Sequence, residues 1–205
     1  NARPYANETL RVLRGLASRT DPSAHPLLAT REEKRALILI ITADKGLCGS
    51  FNTNNIKAAG QEILADASRA VVLGLLGRKG REFFGRRGYP VVYERTHFFQ
   101  HLSFDDAAAI AKVAIEEYSE ANVDAVYLVY NEFKSALSQV PKVHNLLPFD
   151  STEFLEGGEQ IHQDYIFEPE KKLLLQRLLP RTMYFTIYYA LLENAAGEHG
   201  ARMTA

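Results

Sequence analysis

Three apolar runs limit what this chain can fold into. Ala36–Thr42 reads ALILIIT, Ala70–Gly77 reads AVVLGLLG, and Val123–Phe133 reads VDAVYLVYNEF. Short runs with so few polar alternates are the pattern of strands buried on both faces. Helical signals lie between them. SFNTNNIKAAGQEILADA follows the first run, with Ser50 or Asn52 as its cap. RKGREFFGRRG reads as a short basic helix ending at Gly88. SFDDAAAIAKVAIEEYSEA carries a Ser103 cap, with Asp105 and Asp106 at the end that favours acidic residues. PVVYER adds a shorter strand. SQVPKVHNLLPF alternates and contains Pro141, which suits an antiparallel edge strand. Strands alternating with helices predict an α/β, Rossmann-like domain with a mostly parallel, doubly wound sheet.

Both ends of the chain read differently from this body. Ala6, Leu10, Leu13 and Ala17 recur at spacings of four, three and four, a narrow stripe suited to packing on another helix. Asp21, Pro22, Ser23 and Pro26 close that segment. From Glu170 the chain is helical again, and Pro180 either kinks it or opens a fresh helix. Tyr184, Ile187, Leu191 and Ala195 form a second narrow stripe. The two terminal helices are expected to pair as an antiparallel coiled coil. The expected organisation is a helix over 1–20, a linker over 21–35, the α/β domain over 36–168 and a helix over 169–205.

Composition narrows the function. The 205 residues suffice for one domain and an appended element. A formal net charge of −1, with 24% charged residues, gives no general support for nucleic-acid or membrane-surface binding. Cys48 is the one cysteine, so no internal disulfide can form. No apolar run approaches the ~20 residues that span a bilayer. The chain starts with Asn1 and ends inside an apparent helix, HGARMTA, so both ends read as cut.

The loop TADKGLCGSFN, Thr42–Asn52, has the layout of a phosphate cradle between a strand and a helix. Gly46 and Gly49 stand only two residues apart, with no GK[ST] after them, so the P-loop pattern is incomplete. The Rossmann fingerprint is missing too, although GLLGRKG at Gly74–Gly80 is equally glycine-rich. Backbone amides could hold an anion here, or the glycines could simply permit a tight strand-to-helix turn. Cys48 near the helix start could have a lowered pKa, or be a buried structural thiol. His97 and His101 have helical spacing for a metal, without a third ligand nearby. Arg78, Lys79, Arg81, Arg86 and Arg87 form a basic cluster that suits either an acidic partner or a solvated face. Capping and solvation account for Asp105, Asp106, Glu116 and Glu117. No catalytic triad or nucleophile elbow is present. The expectation is a chain with no catalytic residues, no cofactor and no metal.

ITADKGLCGSFNTNNIK resembles the S-D-[RK]-G-L-C-G-x-[FY]-N-x-x-[IV] motif of the gamma subunit of F-type ATP synthases. ALLENAAGEHGARMTA is similar to that family's A-L-x-E-[NS]-x-x-[SG]-E-[HQ]-x-x-R-M-x-A. ARPYA, GRKG and DYIFEP fall where the family places them. Departures are Ala43, where serine is common, and Gly197 and Gly200, where alanine or serine is common. Each glycine costs a helix roughly 1 kcal/mol relative to alanine; either they pack closely on the partner helix or the stretch is softer. The resemblance implies a central-stalk rotor subunit that passes torque between the membrane c-ring and the catalytic alpha and beta subunits. Its partners would be the alpha and beta subunits, epsilon and the c-ring, with ATP made on beta. It implies that the foot turn Asp164–Pro169, through Tyr165, Phe167 and Glu168, faces epsilon or the c-ring. It implies a peripheral membrane protein on the cytoplasmic face of a bacterial inner membrane, or the equivalent organellar face. This sequence would then be a gamma subunit truncated at both coiled-coil ends. The alternative is a small nucleotide- or phosphate-binding α/β enzyme using the Gly46–Gly49 loop.

Overall fold

The computed structural model describes Leu13, residues 21–149 and residues 168–205. Five strands form one sheet: β1 (Arg35–Ile41), β2 (Ala70–Leu76), β3 (Val91–Arg95), β4 (Ala125–Ser135) and β5 (Ser138–Leu147). Their spatial order is β3-β2-β1-β4-β5. β1 runs parallel to β2 and to β4, and β2 parallel to β3. β5 closes one edge antiparallel to β4, with Pro141 opposite Asn131. An edge strand tolerates proline because it need not donate to a further neighbour.

Helices α1 (Phe51–Leu64), α2 (Arg78–Phe84) and α3 (Phe104–Ser119) are the crossovers, and α4 (Glu168–Thr204) is the long last helix. Alternate β1 residues feed two apolar layers, as the period of two requires. Ile38 and Ile40 pack with Leu73, Leu75 and Val129 beneath α1 and α2, where Ala59, Ile63 and Phe84 meet them. Leu37, Leu39 and Ile41 face the other way, towards α3 and α4. There Ile110, Ala114 and Tyr118 of α3 join Leu175, Leu179, Met183, Ile187 and Leu191 of α4. A capping box starts α3: the Ser103 amide and hydroxyl both donate to Asp106 Oδ2, at 2.8 and 3.1 Å.

α4 runs for 37 residues straight through Pro180, about 55 Å at 1.5 Å per residue. Of the two readings of Pro180, the fresh start is excluded. Leu175 and Leu179 before it and Met183 after it are all buried in one layer, so packing holds the helix together across the proline's missing hydrogen bond.

The stripe on α4 differs from its expected setting. Ile187 and Leu191 are fully buried against the α/β body, not left for another helix alone. Tyr184 is half-buried, edge-on to Phe104 of α3, and Ala195 is half-buried. Leu13 lies fully buried in the same cluster. Ala6, Leu10 and Ala17 fall outside the described residues, as do Tyr165 and Phe167; Glu168 opens α4, and its side chain is likewise outside them.

Candidate functional site: the joint between the sheet and the last helix

Two stretches that stand far apart in the sequence meet at the carboxyl end of β1. Ala43 and Cys48 from the loop after β1, and Phe51 at the start of α1, share a small apolar cluster with Ala201 of α4. Arg202 Nη1 donates to the Gly46 carbonyl at 3.1 Å, and Arg202 is ion-paired with Glu198 one turn back. The loop is stitched from within by Asn52. Its Oδ1 accepts from the Ala43 amide at 2.9 Å, and its Nδ2 donates to the Lys45 carbonyl and to Cys48 Sγ, both at 3.3 Å.

A second set of polar contacts fastens β4 to both helices. Asn131 is buried; its Nδ2 donates to the Phe51 carbonyl at 3.2 Å and its amide to Asn194 Oδ1 at 3.3 Å. The Phe133 amide donates to Glu193 Oε2 at 2.9 Å. Buried amide side chains that bond across elements fix the relative position of those elements, because leaving either partner unsatisfied costs free energy. Asn55, also buried, donates from α1 to the Ile41 carbonyl at the end of β1. These asparagines and Glu193 were missed in the sequence reading; the polar YNEF interrupting a buried strand was the available signal.

The two glycines of α4 are explained by the same joint. A Cβ at Gly197 would lie 3.0 Å from Phe51 Cε2 and 3.1 Å from Gln139 Cγ. One at Gly200 would lie 3.0 Å from the Cα and from the carbonyl oxygen of Ala136, in the β4–β5 turn. They admit the sheet domain to the helix.

The second glycine-rich stretch, Gly74–Gly80, spends its donors inside the protein. The amides that open α2 are already taken: Arg78 N donates to Asp44 Oδ1 at 3.0 Å, Lys79 N to the Ala43 carbonyl at 3.1 Å, and Gly80 N to Thr42 Oγ1 at 2.8 Å. Asp44 Oδ2 also accepts from the His97 amide at 3.0 Å, so one carboxylate ties three loops together.

The remaining candidates separate. Cys48 is buried; burial pushes its thiol up, Glu198 adds to this and Arg202 opposes it, so the helix start does not activate it. His97 adopts φ 62° and His101 closes a 3-10 turn, Phe99–His101, so the pair shares no helix face. Among the described residues, no group of three His, Cys, Asp or Glu side chains is placed to hold a metal. Part of the basic cluster is engaged locally: Arg78 Nε donates to the Asp44 carbonyl at 2.8 Å, Lys79 pairs with Glu82 at 3.3 Å, and Arg87 stacks 3.4 Å from the Phe83 ring centroid.

Fold and joint together define an α/β domain built to hold a long helix rigidly. The comparisons give that class a family. The ATP synthase family model matches residues 1–205. The ATP synthase gamma chain of Pelotomaculum thermopropionicum is 44% identical over 205 residues, covering 100% of this chain and 71% of that one. That of Anaeromyxobacter dehalogenans is 40% identical over 208 residues, covering 99% and 71%. Among solved structures, the central stalk and c-ring of Tetrahymena thermophila mitochondrial ATP synthase contains a chain that matches with TM-score 0.65 and 29% identity, over 86% of this chain and 76% of that one.

The chain belongs to the ATP synthase gamma chain family. It is a rotor-stalk subunit and not an enzyme in its own right; catalysis in the complex lies on the beta subunits. The complex is membrane-associated, while no helix among the described residues is long and apolar enough to cross a membrane.

Proposed function

We propose that the joint is the torque-bearing weld of the stalk. It makes α4 and the sheet domain turn as one body between the c-ring below and the alpha and beta subunits above. The observation that carries this is the convergence of Arg202 on Gly46, Glu193 and Asn194 on β4, and Gly197 and Gly200 on the β4–β5 turn and Phe51. Directional hydrogen bonds and backbone-close packing resist sliding and rotation of the helix, which a greasy contact alone does not. Rotation then selects conformations elsewhere through differential contact, which is how one element biases distant sites.

Four assignments complete the reading. The working division is a shaft segment over 1–20, a connecting segment over 21–35, the α/β foot over 36–168 and the shaft helix over 169–205. Ala6, Leu10, Leu13 and Ala17 pair with the α4 face around Tyr184, Ile187, Leu191 and Ala195; the burial of Leu13 beside Ile187 and Leu191 in one cluster supports this. Tyr165, Phe167 and Glu168 meet epsilon or the c-ring. The protein sits at the cytoplasmic face of a bacterial inner membrane or its organellar equivalent.

The test is assembly with alpha, beta and epsilon subunits and the c-ring in vesicles. Gly200→Leu and Asn131→Leu should leave ATP hydrolysis by the catalytic subunits in place and lower the protons pumped per ATP. Unchanged pumping in variants that assemble normally would refute the weld.

A further inference from the structure

The joint lies at the carboxyl ends of the strands; a second set of fastenings lies at their amino ends. It involves the segment entering β1. Leu27 and Leu28 are buried in the α3–α4 layer, and the Phe149 amide donates to the Leu27 carbonyl at 3.3 Å. Arg31 Nε donates to Asp124 Oδ1 at 2.8 Å, and its Nη2 donates to the carbonyls of Tyr118, at 2.9 Å, and Val123. The same guanidinium sits 4.4 Å from the Tyr118 ring centroid, and the Tyr118 hydroxyl donates to the Ala29 carbonyl. Asp124 Oδ2 accepts from the Lys34 and Arg35 amides, both at 2.9 Å.

Two residues on, Glu33 is held by a second guanidinium. Arg69 Nη1 donates to Glu33 Oε1 at 2.6 Å, and Arg69 also contacts Glu62 Oε1 at 3.3 Å and the Glu62 carbonyl at 2.6 Å. The Tyr127 hydroxyl donates to Glu33 Oε2 at 2.8 Å. The Arg69 side chain is only 5% exposed.

Arg69, Asp124 and the segment's own Lys34 directly precede β2, β4 and β1, and Tyr127 is the third residue of β4, so these contacts gather at the amino end of the sheet, opposite the joint. The separation is the length of β1, seven residues, or roughly 23 Å. Burying ion clusters is weak evidence for stability, since desolvation offsets most of the attraction; what a bidentate, multiply bonded arginine supplies is fixed geometry. A plate held to a shaft at one end pivots there under load. Held at both ends, it does not.

We propose that residues 27–34 are a second weld, in which Arg31 and Arg69 are positioning residues that lock the segment following residues 1–20 to the amino end of the sheet. Turning of the sheet domain is thereby passed to residues 1–20 as well as to α4. The inference rests on the rotor reading.

The experiment uses the full chain assembled with alpha, beta and epsilon subunits and the c-ring in vesicles, comparing wild type with Arg31→Met, Arg69→Met, Arg31→Lys and Tyr127→Phe. ATP hydrolysis is expected to persist, while protons pumped per ATP against a gradient fall about twofold or more in the methionine variants. Arg31→Lys keeps the charge but loses the fork, and should fall in between. Phe84→Leu, on α2 and away from the segment, is the stability control: it should lower Tm without changing the pumping ratio. If the methionine variants do not fold, Arg31→Lys and Tyr127→Phe carry the test. Assembled variants with wild-type pumping ratios, or ratios that only follow Tm along with Phe84→Leu, overturn the second weld and leave the rotor reading standing. A wild-type chain that assembles but supports no pumping overturns the rotor reading, and the second weld with it.

Discussion

Replacing Gly200 and Gly197 singly with alanine separates helix propensity from close approach. On a free helix both changes would stabilise by about 1 kcal/mol, because alanine loses less backbone entropy on folding. The joint makes the two unequal. At Gly200 the new methyl would sit 3.0 Å from the Cα and from the carbonyl oxygen of Ala136. Both are backbone atoms of a tight turn whose carbonyl also accepts from Gln139 Nε2 at 3.0 Å, so neither yields readily. Overpacking of this kind costs about 1–3 kcal/mol, which exceeds the propensity gain. At Gly197 the neighbours are a Phe51 ring edge at 3.0 Å and the Gln139 side chain at 3.1 Å, and side chains can shift. For a chain of this size each 1 kcal/mol moves Tm by about 2–4 °C. Gly200→Ala should therefore lower Tm by about 2–4 °C, and Gly197→Ala should leave it unchanged or raise it by a similar amount. Thermal unfolding followed by circular dichroism on the full chain measures both. If Gly200→Ala raised Tm as much as Gly197→Ala, α4 would not approach the β4–β5 turn this closely, and the weld would lose its tightest contact.

Three other outcomes follow from the same contacts. Asn131→Leu leaves the buried Phe51 carbonyl without its side-chain donor and should destabilise by about 1–3 kcal/mol, read as a lower urea midpoint with unchanged slope. Cys48 should alkylate slowly at pH 8 in the folded chain and quickly in denaturant, since burial raises its pKa; equal rates would contradict the buried joint. Burial would raise the Asp124 carboxyl, but the Arg31 guanidinium and the Arg35 and Lys34 amides outweigh it and hold the group below its ordinary 3.8. Its stabilisation is thus complete above the unfolded value and lost as pH falls through the lower folded one, so the stability gap between wild type and Asp124→Asn should be level at neutral pH and close only below about pH 4.

The sheet was legible in the sequence because a strand covered on both faces has no polar alternate to confuse its pattern, as in ALILIIT. Pro141 likewise marked β5 as an edge. The fate of Pro180 was not legible, because it depends on whether Leu175, Leu179 and Met183 find a common layer, which only the tertiary structure decides. The stripe Ile187–Leu191 was visible, but a narrow apolar stripe is equally suited to a partner helix and to the flank of a sheet. The loop and the last helix each stood out, yet nothing local says that Arg202 reaches Gly46 across 156 residues. Gly197 and Gly200 came nearest: an unexplained cost in a helix marks a place where something must come close. The four-residue spacing of His97 and His101 does not put them on one helix face, because the backbone turns left-handed at His97.

The resemblance to a nucleotide-binding sheet has a physical resolution. In open α/β sheets, ligands bind outside the carboxyl ends of the strands, at the point where the strand order reverses. Here that point lies between β1 and β4, since β2 and β3 extend one way from β1 and β4 the other. The groups gathered there are Cys48 and Phe51 after β1, Asn131 on β4, and Asn194 and Ala201 on α4. The last helix is therefore seated where a dinucleotide would lie in an enzyme of this topology. A crevice suited to gripping a small molecule grips a shaft instead, and the property that suits it to either task is the same: convergent strand ends and backbone donors fixed by the sheet behind them.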